Sequence, residues 1–187
     1  MTTQKARETK QRIVRSTRQL IMEEGLENIS INKIIKTACS SKGSFYYHFD
    51  GLESVLKETF LSVLNESLQP FSYDPSKPLK ENVTSYFREL IQSAGNQNEQ
   101  YALLFLFISK SFQEPSYKRL FQEMKQQIIE ENIISKQVLV HAPHLVESLQ
   151  LLDMMTLGVI VHTNLNPDHT ELSNLVDRWI DATFEGM

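Results

Sequence analysis

Apolar residues recur along this chain at the three- and four-residue spacing of an α-helix, and no strand-type alternation lasts long enough to compete. In residues 6–24, Ile13, Leu20 and Ile21 fall at i, i+7 and i+8 with Thr17 between them, which is one face of an amphipathic helix. Gly25 follows as a candidate left-handed helix terminator. Ser30 offers an N-cap oxygen to a short helix carrying Ile31, Ile34, Ile35 and Ala38. After the small polar break Cys39-Ser40, Ser41 can cap a third helix from Lys42 to about Phe49, with Phe45 and Phe49 on one face. Asp50-Gly51 punctuates, and a longer helix follows with Leu52, Val55, Leu56, Phe60, Val63 and Leu64 inward. Six glycines and six prolines in 187 residues are too few for a turn-rich β fold. The expected class is all-α.

Residues 69–78 contain Pro70, Pro75 and Pro78 and read as the joint between two domains. The expected division is an N-terminal domain over 7–67 and a larger helical domain over 68–187. In the latter, helices are expected at about 79–95, 99–112, 115–134, 145–163 and 169–185, punctuated by Gly95-Asn96, Glu114-Pro115, Ala142-Pro143 and Asn166-Pro167. The run from Tyr101 to Ile108 is apolar all round and is expected in the middle of the body.

Charge separates the same two parts. Of 19 basic and 23 acidic side chains, nine basic (Lys5, Arg7, Lys10, Arg12, Arg15, Arg18, Lys33, Lys36, Lys42) and four acidic (Glu8, Glu23, Glu24, Glu27) lie in residues 1–49. The rest of the chain holds ten against nineteen. A basic head on an acidic body points to a polyanion met by the head alone, although a solvated helix face produces a similar run. Cys39 is the sole cysteine, so no intramolecular disulfide is possible and a reducing compartment fits. The first residues lack the apolar core of a secretion signal, and no apolar stretch is long enough for a bilayer. The expected location is cytoplasmic, without membrane partners.

Residues 30–49 make a helix-turn-helix pattern, its second helix opening Ser41-Lys42-Gly43-Ser44. The start of that helix presents free N–H groups and a positive dipole end, which suit phosphate. Gly43 and Ser44 are small enough for close backbone approach to a groove. With Phe45 and Phe49 inward, Lys42, Ser44, Tyr46, Tyr47 and His48 are left for outward or rim positions, from which they can reach phosphates and base edges. A helical hairpin whose tyrosines merely cap a core fits the same pattern.

Residues 12–56 resemble the DNA-binding domain of the tetracycline-repressor (TetR) family of bacterial regulators. The matching elements are Gly25, then Ile34 and Ala38, and above all the run Ser41-Lys42-Gly43-Ser44-Phe45-Tyr46-Tyr47-His48-Phe49. The resemblance implies that the third helix enters the major groove of operator DNA, with Tyr46, Tyr47 and His48 on backbone and base edges. It also implies an all-helical body whose last two helices pair across a dimer axis and whose interior binds an inducer. The expected DNA-binding set is Ser30, Ser40, Ser41, Lys42, Gly43, Ser44, Tyr46, Tyr47 and His48. The chain departs from the family at Ile31, where threonine is usual, and at Cys39-Ser40, where glycine then valine are common. It departs again at Leu52, where a lysine usually follows the His-Phe pair.

A stripe of Leu172, Leu175, Val176, Trp179, Ile180 and Phe184, preceded by Leu149, Leu152, Val159 and Leu165, either closes the monomer core or forms a four-helix bundle with a second copy; a homodimer is expected. A ligand pocket for an unidentified small-molecule inducer is expected among Phe87, Phe105, Phe121, Met124 and Met155, any of which can equally be core. His141, His144 and Glu147 suit zinc chemically, but Pro143 breaks their common face and no second cluster completes a tetrahedron. His162, in an apolar helix, reads as a core or interface histidine. Cys39, near Lys42 and a helix start, is either a redox-sensitive thiol or a passive small residue. No phosphate loop, nucleophile elbow or HExxH occurs, so no metal, cofactor or enzyme activity is expected. The reading is a dimeric, ligand-responsive regulator, most simply a repressor, of a palindromic operator. The alternative is a helical small-molecule-binding or protein-interaction module that does not engage DNA.

Overall fold

The computed structural model describes residues 2–67, 74–94, 98–131, 146–166 and 168–184, and all regular structure among them is helical. In chain order the helices are α1 (Thr2–Glu24), α2 (Ile31–Thr37), α3 (Lys42–His48), α4 (Leu52–Ser67), α5 (Leu79–Ala94), α6 (Asn98–Gln113), α7 (Pro115–Glu131), α8 (Val146–Leu165) and α9 (Thr170–Phe184). A one-turn 3₁₀ helix, Leu26–Asn28, stands between α1 and α2. The sequence carried no separate signal for it. The expected all-α class holds. The end of the helix expected to run to 134, and the pair His141 and His144, lie outside the described residues.

Two compact units divide the chain: Met1–Leu68 with Ala102–Met124, and Gln69–Tyr101 with Lys125–Met187. Residues 102–124 thus group with the N-terminal helices rather than with the body to which the sequence reading assigned them.

In the first unit, α1 packs on α4, α2 and α3. Its inward face is the expected one: Ile13, Val14, Leu20 and Ile21 are buried, with Ser16 and Thr17 between them. The Thr17 hydroxyl is satisfied by donating to the Ile13 carbonyl at 2.9 Å, which is how a helix accommodates a buried threonine. Gly25 takes φ +82° and ψ 153°. This is an extended conformation reserved for glycine rather than the expected left-handed helical one, because the chain leaves α1 directly into the 3₁₀ turn. Farther along, Phe60 of α4 stacks on Phe107 of α6 (5.0 Å between centroids) and on Phe121 of α7 (6.2 Å). Tyr117 closes the cluster against Phe60 and Phe107. Helix α6 is less enclosed than its composition implied. Leu103, Leu104 and Phe107 are buried, but Leu106 faces outward and Phe112 is 86% exposed.

In the second unit, α5 packs on α8 and α9. Val83, Phe87, Leu90 and Ile91 of α5 meet a core that also holds Val159, Ile160, Leu172, Val176 and Ile180. Two ion pairs, Lys80–Asp181 at 2.7 Å and Arg88–Asp177 at 3.3 Å, join α5 and α9. Their residue order fixes the two helices as antiparallel.

Candidate nucleic-acid interface

Helix α2 starts at Ser30, whose side chain accepts from the Lys33 N–H at 3.4 Å, and buries Ile34 completely. It ends in a Schellman motif. The N–H of Ser40 donates to the Ile35 carbonyl at 3.0 Å and that of Cys39 to the Lys36 carbonyl at 3.1 Å. This pattern requires a left-handed residue between them, and Cys39 supplies it at φ +45°. The turn to α3 is thereby fixed by backbone bonds rather than by a side chain, and the Cys39 thiol is exposed.

Ser41 caps α3, accepting the Ser44 N–H at 3.1 Å. Phe45 is fully buried and Phe49 nearly so, their rings 5.5 Å apart, and together they hold the seven-residue helix to the unit. This anchoring turns the remaining side chains outward. Lys42 and Gly43 are exposed, Tyr46 is 47% exposed with its edge against Phe45, and Tyr47 is 77% exposed. His48 is half-buried, with its ring 4.8 Å from that of Tyr47. No atom lies within 4 Å of where a Cβ on Gly43 would stand. The fold itself therefore places no demand for glycine there. The Ser40 hydroxyl is buried and has no hydrogen-bond partner among the described residues.

The basic residues of this unit fall into two groups. Lys10 pairs with Glu58, Arg18 with Glu66 and Lys33 with Glu24, so these three tie the helices together. Lys5, Arg7, Arg12, Arg15, Lys36 and Lys42 are exposed and have no ion-pair partner among the described residues. Spacing alone could not separate the groups, because the partners Glu58 and Glu66 lie 48 residues away.

The expected pocket residues do not form one set within either unit. Phe105, Phe121 and Met124 lie half-buried in the first, whereas Phe87, fully buried, and Met155, half-buried, lie in the second. A feature missed in the sequence is Tyr117. It is fully buried, and its hydroxyl has no partner among the described residues. Burial pushes its ionisation well above the ordinary phenol range, reinforced by Glu114 and Glu53. The Lys110 ammonium, itself 2.6 Å from Glu114, lies 5.2 Å from the centroid of the Tyr117 ring.

The expected dimer stripe divides as well. Leu172, Val176 and Ile180 are buried within their own chain, and Trp179 packs edge-on against Phe87 at 6.0 Å. Phe184 is half-buried and Leu175 remains 48% exposed. Among the described side chains of α8, the large apolar ones left outward are Leu151, Met154, Val161 and Leu165. Of these only Leu165 stood in the expected set; Leu149 and Leu152 have no described side chains.

Residues 13–59 match the family described as bacterial regulatory proteins, tetR family. An uncharacterized HTH-type transcriptional regulator in the lacX 3′ region of Lactococcus lactis subsp. lactis is 38% identical over 63 residues, 34% of this chain and 30% of that protein. The chain thus covers under a third of that relative's length. Among solved structures, GusR of Salmonella enterica superposes with a TM-score of 0.76 at 18% identity over 95% of both chains. A transcriptional regulator of Rhodococcus sp. Rha1 superposes with a TM-score of 0.73 at 16% identity, over 95% of this chain and 96% of that one. A TetR family transcription regulator of Marinobacter aquaeolei VT8 gives 0.61 at 19% identity, over 99% and 90%. These structures share the fold over nearly the whole chain, and the motif match lies on the capped, outward-facing α3 and its supporting helices. Over residues 13–59, its N-terminal helix-turn-helix, the chain is similar to the bacterial regulatory proteins of the tetR family.

Proposed function

We propose that this protein regulates transcription by binding a palindromic DNA operator as a homodimer, most simply as a repressor that a small-molecule inducer releases. The observation that carries the reading is α3. Its two phenylalanines are buried, and Lys42, Gly43, Tyr46 and Tyr47 are presented to solvent at the capped start and along the outer face of the helix. A side chain on Gly43 would meet nothing in the protein, so the open space there suits a partner that approaches the backbone, as a phosphate or groove wall does.

Dimerisation draws support from α8. Leu151, Met154, Gly158, Val161 and Leu165 follow one another at alternating three- and four-residue steps, the seam spacing of a helix pair. The four apolar side chains are 50%, 65%, 39% and 76% exposed, and Leu175 of α9 adds a fifth. A second copy covers such a stripe symmetrically, and two reading helices then address half-sites about one helical turn apart. Half-buried Phe105, Phe121 and Met124 are candidates to meet the inducer.

Footprinting and fluorescence anisotropy with DNA from upstream of its own and neighbouring genes test the reading. The expected result is a protected inverted repeat, bound at least a thousand-fold more tightly than unrelated duplex, on the order of specificity usual for such proteins. Equal affinity for all fragments, unchanged by Lys42→Ala, would refute it.

A further inference from the structure

Helices α8 and α9 of the second unit both pack on α5 and are joined by a short turn, which makes them antiparallel neighbours. Each leaves an exposed stripe on its side away from α5. On α8 the stripe is Leu151, Met154, Gly158, Val161 and Leu165, opposite buried Thr156, Ile160 and Thr163. On α9 it is Glu171, Leu175 and Arg178, away from buried Leu172, Val176 and Ile180.

Both stripes are self-complementary when reversed about a midpoint. Leu151 and Leu165 stand seven residues either side of Gly158, with Met154 four before it and Val161 three after. Glu171 stands four residues before Leu175 and Arg178 three after it, so reversal of α9 sets an acid against a base. The midpoints are also level with each other, with α5 as the ruler. The Tyr86 hydroxyl lies 3.0 Å from that of Thr156 on α8, while the next two residues of α5 reach α9: Phe87 lies 6.0 Å from the Trp179 ring and Arg88 pairs with Asp177 at 3.3 Å. Thr156 is therefore level with the turn holding Asp177 and Trp179. Gly158, farther along an antiparallel helix, comes within roughly 3 Å of the height of Leu175.

One two-fold axis perpendicular to the helices thus serves both midpoints. It lays α8 antiparallel on α8 of a second copy, Leu151 meeting Leu165, and α9 antiparallel on α9, Glu171 meeting Arg178 on both sides of the axis. Glu171 and Arg178 are exposed and have no ion-pair partner among the described residues. A Cβ on Gly158 would meet nothing within 4 Å, so close approach of another backbone is open there. An axis running along the helices would instead lay the apolar stripe of α8 on Glu171 and Arg178 of the second copy and bury both charges unpaired, which is costly. We propose that a second copy of this chain docks about an axis crossing α8 at Gly158 and α9 beside Leu175, with reciprocal Glu171–Arg178 ion pairs that set the register. The proposal rests on the reading of the protein as a homodimer and fixes which residues meet in it.

The test is a charge swap in the full-length protein. Arg178→Glu leaves acids at both positions and Glu171→Arg leaves bases at both, so each variant repels itself and complements the other. Each alone is expected to dimerise at least about ten-fold more weakly than wild type in sedimentation at low salt. An equal mixture, with one protein tagged, is expected to recover wild-type affinity as a heterodimer. Oxidative cross-linking in a Cys39→Ser background reads the register without relying on charge, and decides alone if a reversed variant loses its helical circular dichroism. Gly158→Cys and Leu175→Cys are each expected to cross-link to themselves. Leu151→Cys is expected not to, because its counterpart lies about 21 Å away along the helices, beyond disulfide reach, but to cross-link with Leu165→Cys when the two are mixed. A wild-type dimer that is indifferent to both reversals, or self-cross-linking by Leu151→Cys with none by Gly158→Cys and Leu175→Cys, overturns the register and leaves the dimer standing. A wild type that sediments as a monomer at every concentration refutes the homodimer and this proposal with it.

Discussion

Cys39→Gly should stabilise the protein, and the turn geometry gives the size of the effect. Cys39 is the left-handed residue of the Schellman motif that ends α2, at φ +45°, held there by the Cys39-to-Lys36 and Ser40-to-Ile35 bonds. A residue with a Cβ pays about 1–2 kcal/mol in the left-handed region, where glycine pays almost nothing. Glycine also has more freedom to lose on folding, which returns roughly 0.5–1 kcal/mol. The thiol is exposed, so no packing is lost. The net gain is about 0.5–1 kcal/mol, or about 1–4 °C in a chain of this length. Thermal melts at one protein concentration should rank Cys39→Gly above wild type, and wild type level with Cys39→Ala, which keeps the Cβ. Cys39→Val should fall below both, because a branched Cβ is worse in that conformation. A glycine variant that melts no higher than the alanine variant would refute the account of the turn.

Gly43→Ala should melt slightly above wild type, since the added methyl meets nothing and glycine within a helix costs about 0.5–1 kcal/mol relative to alanine, yet weaken binding to specific and non-specific DNA alike in anisotropy titrations. Tyr117→Phe should raise stability by roughly 1 kcal/mol in urea unfolding, because it deletes a buried hydroxyl that has no partner among the described residues; a loss of similar size would instead reveal a bond made by that hydroxyl in solution. Met154→Glu with Leu165→Glu should yield a folded monomer by light scattering, with operator affinity reduced at least ten-fold because the two heads are uncoupled. Trp179→Glu should unfold the second unit rather than merely dissociate a dimer, because its ring lies against Phe87.

The inward face of α1, the capped start of α3 and the buried pair Phe45 and Phe49 were legible because each is set by spacing within one helix and by the chemistry of serine at a helix start. What the sequence hid was which neighbour each face meets. Leu172, Val176 and Ile180 share a helical face that a partner subunit or the chain's own α5 can cover equally well, and apolar spacing is identical in both cases. In the structure that face is closed internally, and among the described residues α8 carries four uncovered large apolar side chains, on a helix that is apolar on every side so that periodicity points in no single direction. The pocket candidates fall in both units for a related reason. Phe87 and Met155 were chosen for size and chemistry, and a proline-bearing joint such as residues 69–78 does not disclose that 102–124 group with the head.

The division of the basic head sets a ceiling that can be checked independently. The nine cations of residues 1–49 form the charge asymmetry, but Lys10, Arg18 and Lys33 already face carboxylates that belong to the fold. An exposed ion pair contributes little stability, yet a cation that must leave its carboxylate gains less from a phosphate. The six others, Lys5, Arg7, Arg12, Arg15, Lys36 and Lys42, are the cations available to displace counterions. At about 0.9 per phosphate, the salt slope can reach about 5 for one head and about 11 for two. A steeper slope would require cations from outside the head, and the acidic body, with ten basic against nineteen acidic side chains, is poorly suited to supply them. Arg12 and Arg15 distinguish how much of the ceiling is reached. Both are exposed on α1, so a slope near 4 per head that Arg12→Gln with Arg15→Gln leaves unchanged would mean that these two stay in solvent.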